Sequence, residues 1–356
     1  MPVDRENPGL RRVEAAALAL IALVSVAAGA LHFVAAPAAL AFSIAALALA
    51  GLAWTVSFAT EQLGERYGPA VTGVLQSTLG NLPEFFVVLF ALSAGETVVA
   101  QASLVGSVLA NALLVLGLAI AVGASRSEDG VMRFGRRLPN DTATLLLVAV
   151  FIIALIGVSV AADDRAAHHV KAISIIGAFC LLVVYLTWLV PYLRSDSGPE
   201  QRAARLGLAE AASILVLAGV GAAFVSDWFV AALRPTIDRL GISAAFAGIV
   251  VVAIAGNAVE NVVGITLAWK GKHDLAISVV KNSVSQVAVF LFPLLVLCSL
   301  PFAHVLTFSL APVFIVALLV TAIAVWQITG DGEATLFEGV ALVALYVILA
   351  AVTLYE

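Results

Sequence analysis

The chain has 356 residues, 62% of them hydrophobic and 12% charged, with a mean hydropathy of +1.10. Soluble domains carry about 25% charged residues, so this composition excludes a water-soluble enzyme and describes a polytopic helical membrane protein. The net charge of −5 adds little, because orientation in a bilayer follows the placement of Lys and Arg, not net charge.

In chain order, Met1 to Arg12 is polar and precedes an apolar run too long for a signal-peptide core, which reads as a retained first helix. Eleven apolar stretches follow one another near 13–35, 37–58, 69–94, 98–123, 141–161, 169–192, 207–230, 244–269, 274–298, 306–328 and 335–354. Each is long enough to cross about 30 Å of hydrocarbon as a helix. The connections are short, and the longest, from about 124 to 140, is rich in arginine. No loop houses a soluble catalytic domain, and no G-x4-G-K-[ST] phosphate loop occurs, which argues against an ATP-driven pump. Cys180 and Cys298 both lie in apolar segments and build neither a disulfide framework nor a metal motif. The five histidines stand at or near segment ends and form no H-x-x-x-H pattern.

Assigning the loops alternately to two sides puts thirteen Lys and Arg on the N-terminal side and four on the other. The N-terminus is therefore expected in the cytoplasm and the C-terminus outside, in a bacterial-type inner (plasma) membrane. The bilayer is the expected solvent. No nucleic-acid partner is expected, and the sequence leaves the oligomeric state open.

The third segment contains Gly80-Asn81-Leu82-Pro83-Glu84, and the eighth contains Gly256-Asn257-Ala258-Val259-Glu260. In both, a helix-breaking Gly-Asn precedes a carboxylate at membrane depth. Such a carboxylate costs about 2.5–3.5 kcal/mol or more unless it meets a cavity or a partner. Glu84 and Glu260 are separated by 176 residues, and the same offset relates Gly80 to Gly256, Asn81 to Asn257 and Ser107 to Ser283. Segments two to six and seven to eleven then form two five-helix units. Five is odd, so the second enters the membrane from the opposite side, giving an inverted repeat. The expected division is 1–36 for the N-terminal segment and extra helix, 37–192 for the first repeat and 193–356 for the second.

Broken helices free backbone carbonyls, which are tolerable at this depth where they line a cavity. Carbonyl and carboxylate oxygens are the ligands that Ca²⁺ prefers. Ser103, Ser107 and Asn111, spaced by four, share one helix face with each other. Segment nine adds Ser278, Asn282, Ser283, Ser285 and Gln286. Small polar residues also serve as glue between membrane helices.

Gly80-Asn81-Leu82-Pro83-Glu84 followed by Ala102-Ser103-Leu104-Val105-Gly106-Ser107-Val108-Leu109-Ala110-Asn111 resembles the first α-repeat of the calcium/proton exchangers, within the cation/Ca²⁺ exchanger superfamily. Gly256-Asn257-Ala258-Val259-Glu260, Lys272-His273-Asp274-Leu275 and Ser283-Val284-Ser285-Gln286-Val287 resemble the second. The resemblance implies that Glu84 and Glu260 bind cation or protons. It also implies that Gln76, Asn81, Asn257, Ser103, Ser107, Ser283 and Gln286 form the polar shell. The expected activity is antiport of Ca²⁺ against H⁺, with no cofactor beyond the transported cation. The sequence departs from the family at Asn261, where a His usually follows the glutamate, and at Asn282-Ser283-Val284, preceded by Lys281, where Gly-Ser-Ser is usual. These departures make Asn261, Lys281 and Asn282 candidates for selectivity and leave Na⁺/H⁺ or Na⁺/Ca²⁺ exchange as the alternative, ahead of a passive cation channel. Lys281 either snorkels to the surface or faces the cavity.

Overall fold

A computed structural model describes residues 9–34, 36–64, 75, 78–195 and 205–355. The helices are α1 (Arg12–Phe33), α2 (Ala38–Gly64), α3 (Leu82–Ser93), α4 (Thr97–Ser125), α5 (Arg137–Ala161) and α6 (Val170–Ser195). They continue with α7 (Leu208–Leu240), α8 (Ala244–Gly256), α9 (Ala258–Trp269), α10 (His273–Cys298), α11 (Pro312–Thr329) and α12 (Leu336–Leu354). Among the described residues, nine helices are long and apolar enough to span a bilayer, and α8 with α9 makes a tenth, bent by 63° at its break. The eleventh expected span, 69–94, is described only in part: residues 78–80 are helical, and α3 follows as a shorter apolar helix. The remainder of that segment lies outside the described residues.

The molecule divides into two compact units, Met1–Val87 with Trp188–Arg239, and Val88–Thr187 with Leu240–Glu356. In the first, α1 packs on α2. Trp228 of α7 lies against Gly29 of α1, and Phe42 of α2 stacks on Phe229 of α7 at 4.7 Å. A small core of Phe58, Leu63, Leu206 and Ala211 closes the end of α2. Arg205 ties the chain before α7 to Glu14 of α1 at 2.8 Å. Elsewhere α1 presents Leu20, Leu23 and Val26 outward, and α7 presents Val216, Leu217 and Val220. Faces this apolar belong against lipid tails.

In the second unit, α4 and α10 are the most enclosed spans, each with 78% of its most apolar stretch buried, against 11% for α1. α5 packs on α11, and the second half of α4 packs on α12. The crossing of α4 with α8 is made by two glycines. A Cβ on Gly106 would lie 2.5 Å from Ile249 Cα, and one on Gly248 would lie 2.5 Å from Ala102 Cβ. Small residues on both helices let the backbones touch, the usual route to tight packing where lipid gives no hydrophobic drive. A two-stranded ribbon links the ends of this unit. β1 (Val131–Arg133) pairs antiparallel with β2 (Glu333–Thr335), with Arg133 opposite Glu333.

Three π-helical turns interrupt the α-helices of this unit: Ala110–Val115 in α4, Ala247–Val252 in α8 and Val287–Leu291 in α10. The first and third begin at places related by nearly the same sequence offset that relates Glu84 to Glu260. Short π insertions of this kind gather at functional sites.

Candidate functional site

Both Gly-Asn-x-x-Glu motifs break their helix at the asparagine. Asn81 stands outside the helical ladder between residues 78–80 and α3, and Asn257 stands between α8 and α9 with φ −105° and ψ 19°. Each asparagine then starts the next helix: Asn81 O accepts from Phe85 N at 2.9 Å, and Asn257 O accepts from Asn261 N at 3.0 Å. Glu84 and Glu260 therefore occupy the first turns of α3 and α9. A helix N-terminus carries partial positive charge from its unpaired N–H groups, which favours an anion there. The Gly-Asn break thus does two things locally. It opens the backbone, and it supplies electrostatic support for a carboxylate at a depth where water is scarce. Glu84 is buried and Glu260 half-buried.

Around Asn257 the second unit gathers a knot of polar side chains. Asn257 Nδ2 donates to Ser107 Oγ at 2.7 Å and to the Ala253 carbonyl at 2.9 Å. Asn111 Nδ2 donates to Asn257 Oδ1 at 3.1 Å and to Ser283 Oγ at 3.2 Å. Three helical stretches are joined in this way: the middle of α4, which contributes two side chains, the α8–α9 break and the middle of α10. All four side chains are buried. The amide protons of both asparagines are turned toward protein oxygens, which leaves Asn111 Oδ1 as a buried acceptor with no protein donor among the described residues. Ser103 Oγ, Asn261 Oδ1 and Asn282 Oδ1 are likewise buried oxygens with no hydrogen-bond partner among them. Buried polar atoms are nearly always satisfied, so each of these oxygens calls for an explanation.

The sequence expectations divide accordingly. Ser107, Asn257 and Ser283 are brought into one hydrogen-bonded group. Asn111 is the member that ties it together. The sequence placed Asn111 on one polar helix face with Ser103 and Ser107, where lining the site was at least as good a reading as helix glue, but did not count it among the site residues. Gln286 is buried in α10 one helical turn beyond Ser283, and Asn81 is buried at the first break. Gln76 lies outside the described residues.

Lys281 is buried in the middle of α10. It is 2% exposed, so it does not snorkel, and its Nζ donates to the Pro139 carbonyl at 2.8 Å and to Thr329 Oγ1 at 2.7 Å. Thr329 passes its own proton to the Val325 carbonyl at 2.7 Å, so its oxygen is an acceptor for the lysine. Ser285, one turn further along α10, donates to the Thr142 carbonyl at 3.2 Å. Lys281 and Ser285 thus fasten α10 to the first turns of α5 and the last turn of α11. Ser283 follows Lys281 by two residues, about 200° around the helix. It therefore faces the polar knot from the opposite side of α10.

Among the described residues, no group of three or more His, Cys, Asp or Glu is assembled as a metal centre. The acidic groups at the breaks are one per motif, and the rest of the oxygen set is amide and hydroxyl.

A bundle of apolar spans, two of its helices interrupted at membrane depth and followed by carboxylates, with an amide-rich knot beside one break, defines a membrane transporter with broken helices. The chain belongs to the sodium/calcium exchanger protein family, whose model matches residues 37–191 and 210–355. It is 31% identical over 331 residues to the Ca²⁺/H⁺ antiporter of Synechocystis sp., covering 87% of this chain and 89% of that one. It is 32% identical over 326 residues to the Ca²⁺/H⁺ antiporter ChaA of Bacillus subtilis, covering 88% and 92%. The solved structure of native YfkE superposes with a TM-score of 0.78 at 29% identity, over 96% of this chain and 99% of that one.

Proposed function

We propose that the protein is a secondary antiporter that exchanges Ca²⁺ for H⁺ by alternating access. The observation that carries this reading is the repeated break: in each half an asparagine ends one helix and places a glutamate in the first turn of the next. Relatives over nearly the whole chain bear the name Ca²⁺/H⁺ antiporter, which supports the same cargo.

The chemistry follows from charge balance. Two ionised glutamates, Glu84 and Glu260, neutralise one Ca²⁺. Amide and hydroxyl oxygens from Asn81, Asn257, Ser103, Ser107, Ser283, Gln286 and Gln76 complete the shell. Protonated, the same carboxyls are neutral and release it. Cation and protons compete for one set of oxygens, because a bound cation favours the ionised form and a dry site favours the protonated one. If only the loaded or the doubly protonated site changes sides, the fluxes are coupled. Asn261 and Asn282, each with a buried amide oxygen that no described donor reaches, are the candidates for tuning selectivity. With the Lys281 ammonium held by Pro139 and Thr329, the charge argument for a monovalent cargo loses its motive.

The repeats are read as 37–192 and 193–356, after an extra helix within 1–36. The arginine bias places the N-terminus in the cytoplasm of a bacterial-type plasma membrane and the C-terminus outside. The test is proton flux in proteoliposomes with Ca²⁺, Na⁺, K⁺ and Mn²⁺ offered in turn. Ca²⁺-dependent proton movement is expected. Proton flux driven by Na⁺ alone, with none for Ca²⁺, would overturn the reading.

A further inference from the structure

The π turn Ala247–Val252 lies in α8 about two turns before Asn257. A π turn inserts one residue into an α-helix, so every side chain beyond it is rotated by about 100° relative to an uninterrupted helix. The direction in which Asn257 points therefore depends on that turn staying where it is. A π turn is also intrinsically weak, since its wider loop leaves backbone groups poorly placed for the regular ladder. Something outside the helix must hold it.

Two neighbours do so. On one side Gly248 and Gly106 bring α4 into backbone contact with the turn. On the other, Tyr346 of α12 donates its hydroxyl to the Ile249 carbonyl, inside the turn, at 3.2 Å. Tyr346 is buried, so the bond satisfies a hydroxyl and a carbonyl that water does not reach. A second tie between the same helices lies upstream of the turn: Ser243 Oγ, which caps α8 by accepting from Phe246 N at 2.9 Å, donates to the Thr353 carbonyl at 2.5 Å. The two ties are chemically alike but differ in place. Only the Tyr346 bond reaches the π turn itself.

We propose that Tyr346 is a positioning residue for the cation site: its hydroxyl holds the π turn of α8 in register, and that register aims Asn257 at Ser107 and Asn111. Without the hydroxyl, the turn is free to relax toward an α-helix or migrate, and Asn257 rotates off its two partners. The inference rests on the exchanger reading for its functional consequence, but not for its structural one.

The test compares wild type, Tyr346→Phe and Ser243→Ala. Phe keeps the ring and its packing and removes only the donor. In proteoliposomes, Tyr346→Phe should raise the KM for Ca²⁺ about tenfold, the lower end of what loss of an outer-shell partner costs a metal site, with maximal rate little changed. Ser243→Ala should lower the Tm and leave KM at the wild-type value. Equal KM values for Tyr346→Phe and wild type would overturn the proposal, as would an equal KM rise in Ser243→Ala. Hydrogen exchange on the detergent-solubilised protein is a second readout, independent of transport. Tyr346→Phe should speed exchange across residues 247–257 and leave 110–115 unchanged; a wild-type pattern would overturn the proposal. If wild type carries no Ca²⁺, the exchanger reading fails, and the exchange pattern still decides the role of Tyr346.

Discussion

The two helix breaks share a motif and a local geometry but differ in their surroundings. At the first, Pro83 sits in the opening turn of α3, and its carbonyl is approached by Ser226 Oγ of α7 at 3.4 Å. At the second, Asn257 is held on three sides by Ser107, Asn111 and the Ala253 carbonyl, and a π turn precedes it. Glu84 is buried, whereas Glu260 is half-buried. Gly-Asn before a helix fixes where the backbone opens and where the carboxylate falls. The side chains that grip Asn257 come from distant parts of the chain. Function at the second break is therefore expected to respond to mutations at Ser107 and Asn111, far from it in the chain.

The largest effect should come from removing the feature the breaks share. Glu84→Gln and Glu260→Gln keep shape and hydrogen bonding but remove charge and titration. Each should abolish coupled exchange in the flux assay while the protein remains folded. Wild-type flux from either variant would show that its carboxylate is outside the site.

Next comes the knot around the second break. Asn111→Ala strips Asn257 Oδ1 and Ser283 Oγ of their donor. We expect a rise of about 10–100-fold in the KM for Ca²⁺, in line with the loss of a residue that orients metal ligands. A variant with unchanged KM would reduce the knot to helix glue.

Lys281→Met tests the far side of α10. It leaves the Pro139 carbonyl and Thr329 Oγ1 without the ammonium, at a cost of about 1–3 kcal/mol of stability, read as a lowered Tm. The Ca²⁺-to-Na⁺ preference should not move. A shift in that ratio would return the lysine charge to the selectivity problem.

The smallest effect is expected at Ser226→Ala. Its bond to Pro83 is long, and its loss should cost about 0.5 kcal/mol, the low end for a neutral hydrogen bond. A severalfold change in the KM for Ca²⁺ would mean that the first break, like the second, depends on an external grip.

Much of the architecture was legible before the fold. Period and length gave most of the spans, eleven expected against nine, or ten with the bent pair, among the described residues, because a helix must satisfy its own backbone in lipid and needs about twenty apolar residues to cross it. The repeat offered Glu84 and Glu260 as candidates for one site, since a carboxylate at membrane depth is too costly to recur by chance. The breaks at Asn81 and Asn257 were legible for a local reason: glycine and asparagine tolerate the conformations that end one helix and start another.

What the sequence did not decide is which polar side chain meets which. Asn111 and Lys281 are both polar residues in apolar spans, yet one joins Asn257 and Ser283 while the other is fixed to Pro139 and Thr329. The three π turns and the hydroxyl of Tyr346 were equally hidden. The physical reason is one of range. Spans and breaks follow from interactions within a few residues. A one-residue insertion in a helix leaves hydropathy almost unchanged but rotates everything after it by about 100°, so the facing of each polar group is set by helices packed from elsewhere in the chain.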